Sequence, residues 1–146
     1  MNLSAGKPLH IILIEDDEVD AEAIERAFQI LGVAIKTTRF VDGRMAIDAL
    51  RSAWGSLLHT EPHIIFLDLN MPRMNGLAFL DELRKDPVLR RSIVFALTGS
   101  DLEEDKAAAY DRRVAGYLVK PHLGHDYSSL RELLDVYYQA IEFPVG

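Results

Sequence analysis

Five short apolar runs recur along this chain, separated by segments with helical spacing. They lie at residues 9–14, 34–41, 64–67, 93–97 and 116–119. A strand with one wet face alternates apolar and polar residues. Most of these runs are instead almost continuously apolar, as expected of strands buried on both faces. Such strands need helices above and below them, so the pattern predicts one parallel sheet with right-handed crossovers. The run at 34–41 differs: β-branched Ile35, Thr37 and Thr38 are mixed with Lys36 and Arg39, which suits a sheet edge.

The intervening segments supply the helices. Val19, Ala23, Ile24, Ala27, Phe28 and Leu31 share helical spacing, and Gly32 closes that segment. Met45, Ala46, Ala49 and Leu50 mark a second helix. Leu77, Leu80, Leu83 and Arg84 mark a third, ended by Asp86-Pro87. Ser100-Asp101-Leu102-Glu103 fits a capping box that opens a fourth, running to about Arg112. Leu130, Leu133, Leu134, Tyr137 and Ile141 share one face of the fifth. Residues 53–62 form the longest connection and read as a surface loop. The sequence thus predicts five strands alternating with five helices.

At 146 residues the chain suits one domain at 9–141, with a flexible lead-in at 1–8, a tail at 142–146 and no output domain. A net charge of −7 argues against a general nucleic-acid surface. With no cysteine, thiolate metal sites and thiol nucleophiles are excluded. No apolar run approaches the roughly 20 residues of a membrane span, and the start lacks the apolar stretch of a signal peptide. The expected location is cytoplasmic.

Polar residues gather where the strands end. Asp68 follows the run His63-Ile64-Ile65-Phe66-Leu67, after which Pro72 and Gly76 turn the chain. A carboxylate at the mouth of a buried strand needs a cation or donors to stay charged. Glu15-Asp16-Asp17, Thr98 and Lys120 each sit just past another apolar run and can supply them. In sheets of this kind, sites lie at the carboxyl ends of the strands. Glu15, Asp16 and Asp68 would offer oxygen ligands only, which suits a hard cation such as Mg²⁺. The Asn70 carbonyl, two residues past Asp68, could complete the shell. Lys120 and the Thr98 hydroxyl suit phosphate oxygens, and Asp68 could act as the attacking carboxylate. No Gly-x-x-x-x-Gly-Lys-[Ser/Thr] loop is present, so a phosphoamino acid is a better donor than a nucleotide.

Four elements in order then resemble the receiver domain of bacterial two-component response regulators, over roughly residues 9–138. They are Ile-Leu-Ile-Glu15-Asp16, Leu-Asp68-Leu-Asn-Met-Pro-x-Met-Asn-Gly, Leu-Thr98-Gly-Ser and Gly-Tyr117-Leu-Val-Lys120-Pro121. The resemblance implies an α/β, flavodoxin-like fold with five parallel strands in the order 2-1-3-4-5 and helices on both faces. It implies that Asp68 accepts a phosphoryl group from a sensor histidine kinase. Glu15, Asp16 and the Asn70 carbonyl would hold Mg²⁺ with Asp68, and Thr98 and Lys120 would contact the phosphoryl oxygens. Tyr117 would be the aromatic switch residue, and Lys120-Pro121 would be a cis peptide. Ser100 stands where the family tunes dephosphorylation.

The family's acidic pair is often Asp-Asp, so Asp16-Asp17 is an alternative register. Glu15-Asp16 is preferred because Ile14 is the last apolar strand residue, which leaves Asp17 to cap the next helix. The Glu-Asp-Asp start, the 53–62 connection and the Arg84-Lys-Asp-Pro-Val-Leu-Arg-Arg segment resemble single-domain regulators associated with bacterial phytochromes. That likeness implies a bacteriophytochrome kinase as partner. It also implies a homodimer through the face of the fourth helix, fifth strand and fifth helix, or another downstream protein at that face. A receiver fold that docks partners constitutively, without phosphorylation, is the alternative. The five histidines show no metal-ligand spacing, and Arg90-Arg91 and Arg112-Arg113 read as solvated faces. Trp54 reads as either a loop anchor or an exposed contact.

Overall fold

A computed structural model describes residues 8–31 and 34–144. Gly32, most of the lead-in and the last two residues of the tail lie outside the described residues. The elements run β1 (Leu9–Ile14), α1 (Glu18–Gln29), β2 (Ile35–Phe40), α2 (Gly43–Leu50), α3 (Ala53–Leu58) and β3 (His63–Leu67). They continue with α4 (Gly76–Lys85), β4 (Ile93–Thr98), α5 (Glu103–Asp111), β5 (Gly116–Val119), a 3₁₀ turn (Lys120–Leu123) and α6 (Ser128–Ala140). All strand pairings are parallel, in the order β2-β1-β3-β4-β5.

Alternate residues of each strand feed two separate cores. Leu9, Ile11 and Leu13 of β1, Ile64 and Phe66 of β3, and Phe95 and Leu97 of β4 pack with α1 and α6. Ile12 and Ile14, Ile65 and Leu67, and Val94 and Ala96 pack on the opposite face with α2 and α4. Both faces of the central strands are therefore dry, which is why their sequence carries no polar alternation. β2, at the edge, is only partly buried throughout.

Three sequence expectations are corrected. Residues 53–58 of the expected loop form α3, with Trp54 packed edge-on against His10 and Phe40. A single turn and a half carries too short an apolar stripe to show a helical period, and burial of Gly55 and Leu58 with the packing of half-buried Trp54 holds it. The capping box does not form: α5 begins at Glu103, so Ser100 lies too far upstream to cap it. The Ser100 hydroxyl instead donates to Asp105 and accepts from the Leu102 N–H. The Lys120-Pro121 bond is trans, since no cis peptide occurs among the described residues. There Pro121 opens a 3₁₀ turn, where its fixed φ and missing N–H are tolerated. One smaller departure is Val19, 76% exposed on α1 rather than in the core. Asp17 caps α1 as expected, accepting from the Asp20 N–H.

Arg84 ties the far side of the sheet together. Its guanidinium donates to the carbonyls of Arg112 (2.9 Å), Arg113 (2.8 Å), Arg90 (2.9 Å) and Ser92 (2.8 Å). One planar fork thereby satisfies both the turn before β5 and the turn before β4. Burial, and then the nearby charge of Arg113, lower its pKa to about 10, so it stays cationic near neutrality. Arg84→Met keeps the stem but strips four carbonyls of their donor. Urea unfolding is expected to show a loss of about 2 kcal/mol or more. A loss below about 0.5 kcal/mol would show that water replaces the fork at no cost.

His63 closes the opposite end of β3. It is buried, with Nδ1 at 3.0 Å from the Glu61 carbonyl and Nε2 at 3.2 Å from the Ser92 hydroxyl. Burial lowers its pKa below the ordinary 6.5; the Glu61 carbonyl opposes this, and His59 and His10 reinforce it. The folded state thus binds the proton less readily than the unfolded chain does. Stability is complete above about pH 6.5 and declines as pH falls below it towards the lowered folded value. Denaturation midpoints measured against pH should show this decline, with a shallower slope in His63→Gln.

Candidate functional site

The carboxyl ends of β1, β3 and β5 converge on one pocket. Backbone pairing carries past the strand ends: the Asp68 N–H donates to the Ile14 carbonyl at 3.0 Å, and the Glu15 N–H to Phe40 at 3.0 Å. Each acid is thereby fixed in register with its neighbouring strand. Glu15, Asp16 and Asp68 each bring a carboxylate oxygen to within 4.8 Å of the others. Glu15 and Asp68 are buried and Asp16 is exposed, so the cluster opens to solvent on one side.

The loop after Asp68 is shaped by close backbone approach. A Cβ at Gly76 would stand 2.7 Å from the Asp68 carbonyl and 2.6 Å from the Leu69 Cα, distances that real side chains do not adopt. Glycine lets the start of α4 press against the turn after β3, where the Gly76 N–H donates to the Leu69 carbonyl at 3.0 Å. Asn70 is exposed, and its N–H donates to Asp68 Oδ1 at 3.1 Å.

Lys120, the first residue past β5, is the counterion. Its Nζ lies 2.7 Å from Glu15 Oε1, 2.8 Å from Asp20 Oδ2 and 3.4 Å from Asp68 Oδ2. Burial works against its charge, but the bonds to Asp20 and Glu15 and the charge of Asp68 outweigh this and raise its pKa. Glu15 also shifts upward, which in an acid disfavours the charged form. Its burial, opposed by Lys120 and assisted by Asp68, pushes its carboxyl up to about 7. Arg39 of β2 steadies the same corner, donating from Nε to the Glu15 carbonyl at 2.9 Å and pairing with Glu18.

Thr98 ends β4 and is fully buried. Its hydroxyl accepts a long bond, 3.4 Å, from the Ser100 N–H. Tyr117 lies half-buried on β5 beside Ala96, and its hydroxyl donates to the Ser100 carbonyl at 2.8 Å. Burial raises its pKa, with the Ser100 bond opposing. Thr98 and Tyr117 are therefore linked through one residue of the β4–α5 loop.

Of the residues expected from sequence, Glu15, Asp16, Asp68 and Lys120 meet directly and Asn70 bonds Asp68, whereas Thr98 and Tyr117 are joined to one another through Ser100. Asp20 was not anticipated. It lies three residues past the cap of α1, and helical side chains lean back towards the N-terminus, which carries its carboxylate over the strand ends. The donor set of the acid cluster is entirely oxygen, which fits a hard divalent cation.

The model of the response regulator receiver domain matches residues 11–132. The chain is 35% identical over 119 residues to a probable methanogenesis regulatory protein, FilR2, of Methanothrix harundinacea, covering 82% of this chain and 76% of that protein. It is 30% identical over 120 residues to the response regulator Rcp1 of Synechocystis, covering 82% of each. The Mn²⁺-bound structure of Rcp1 superposes with a TM-score of 0.80 at 26% identity, over 94% of this chain and all of that one. The phosphorylated cyanobacterial phytochrome response regulator RcpA superposes at 0.78 with 28% identity, over 95% and 99%. No described helix is long and apolar enough to cross a membrane. With this match over most of its length and the same sheet order, the chain belongs to the response regulator receiver domain family.

Proposed function

We propose that this protein is a phosphorylation switch in which Asp68 accepts a phosphoryl group from a sensor histidine kinase. The observation that carries this reading is the Asp68 carboxylate at the sheet mouth, with Lys120 at 3.4 Å and two further acids beside it. In the transfer, a lone pair of an Asp68 oxygen forms the new O–P bond. The N–P bond of the phosphohistidine breaks, and its electron pair returns to the imidazole nitrogen. Such a transfer depends on position and on neutralising oxygen charge, both of which these side chains are placed to serve.

Glu15, Asp16, Asp68 and the Asn70 carbonyl would hold Mg²⁺, which when bound would neutralise phosphoryl oxygens. Lys120 would neutralise another oxygen, and the Thr98 hydroxyl would donate to a third. The loop that Thr98 shares with Tyr117 through Ser100 supports a switch in which that loop moves when the phosphoryl group arrives. The face of α5, β5 and α6 would then change its affinity for a partner. Tyr110 and Val136 are exposed apolar side chains on those helices and suit either a second copy or a downstream protein. The likeness to RcpA supports a phytochrome-type kinase as the donor.

Intact-mass spectrometry after incubation with Mg²⁺ and a small-molecule phosphodonor tests the reading. One labile phosphoryl adduct is expected on the wild type, absent from Asp68→Asn and absent when a chelator removes the metal. No adduct from any competent donor, candidate kinases included, would favour constitutive docking instead.

A further inference from the structure

Asp20 stands outside the acid cluster yet holds its counterion. Lys120 Nζ donates to Asp20 Oδ2 at 2.8 Å, which is shorter than its 3.4 Å approach to Asp68. An ammonium has three donors, and the two strongest contacts here go to Glu15 and Asp20. Asp20 is fixed by the first turn of α1, where its N–H is bound to the capping side chain of Asp17 at 2.9 Å. The long Lys120 stem is the flexible partner, so any rearrangement moves the lysine and not the aspartate. Asp20 and Lys120 also line one open cleft with Gly99 and Tyr127, which leaves space for that movement.

We propose that Asp20 is a positioning residue that holds the Lys120 ammonium short of Asp68 and must release it for phosphoryl contact. The inference rests on the phosphoacceptor reading and adds a brake to it. Breaking a charge-assisted bond to a partly exposed carboxylate, 36% exposed, becomes part of the cost of bringing Lys120 to the phosphoryl group. The rate at which the adduct forms is then set partly by a residue that touches neither metal nor phosphate.

The test follows adduct formation from phosphoramidate with Mg²⁺ in wild type, Asp20→Asn, Lys120→Met and the double variant. Asp20→Asn is expected to react roughly threefold faster or more, and Asp20→Glu to retain the slow rate. In the Lys120→Met background, Asp20→Asn should change nothing. Equal acceleration with and without Lys120 would mean that only a negative charge had been removed, and it would overturn the proposal. Unchanged rates in Asp20→Asn would do the same. A parallel unfolding cycle on the metal-free proteins reads the contact itself, with non-additive losses expected for the Asp20 and Lys120 pair. Wild-type protein that takes no adduct from phosphoramidate or from candidate kinases removes the phosphoacceptor reading. The cycle separates that failure from loss of the Asp20 contact, because additive losses overturn the positioning role whatever Asp68 does.

Discussion

Lys120 is the interaction on which the site depends. Two buried carboxylates, Glu15 and Asp68, face one another at the mouth of the sheet with a third acid beside them. Two unit charges about 4 Å apart repel by roughly 1–4 kcal/mol at the effective dielectrics of water and protein surface. Burial is the main reason the Glu15 carboxyl is pushed up to about 7, with Lys120 opposing the shift and the charge of Asp68 adding to it. Lys120, 12% exposed, offsets the repulsion by touching three acids at once. A buried ammonium with three carboxylate partners is itself kept charged by them.

The fold places these groups together for a reason unconnected with their chemistry. In a parallel sheet every strand points the same way, so the residues following β1, β3, β4 and β5 emerge at one edge. The order β2-β1-β3 puts β1 beside both β2 and β3, and the turn after β1 therefore meets the turn after β3. Dry packing on both faces then leaves the strand ends as the place where polar side chains can be both rigidly held and reachable by solvent. Arg84 and His63 show the same logic away from the site. Each satisfies backbone carbonyls at element ends that the apolar core cannot serve.

The sheet was legible in the sequence because two-sided burial leaves a continuous apolar signature in β1, β3 and β4. The acids and Lys120 were legible because each directly follows such a run. Asp20 was not, since it lies on a helix whose charged first turn looks like ordinary capping chemistry around Asp17. Its role depends on the distance across to Lys120, a contact spanning 100 residues that no local spacing encodes. The α3 turn was hidden for another reason. Six residues give less than two helical periods, and tertiary packing of Trp54 and Leu58 holds the helix more than intrinsic propensity does. Ser100-Asp101-Leu102-Glu103 had the residue types of a capping box, but Leu102 takes the cap position and Ser100 is used by Asp105.

That use of Ser100 connects the pocket to the surface. Its N–H reaches Thr98, its carbonyl accepts from Tyr117, and its hydroxyl bonds Asp105 in the first turn of α5. One residue therefore joins a strand-end hydroxyl, an aromatic ring on the edge strand and a helix start. The Thr98 contact is the longest of the three, at 3.4 Å, whereas the Tyr117 and Asp105 contacts are short. A pull on Thr98 from the pocket would thus break the weakest bond first, and the loop would then answer to Tyr117 and Asp105. The Ser100 loop is therefore held by short bonds to β5 and α5 and by only a long one to the end of β4.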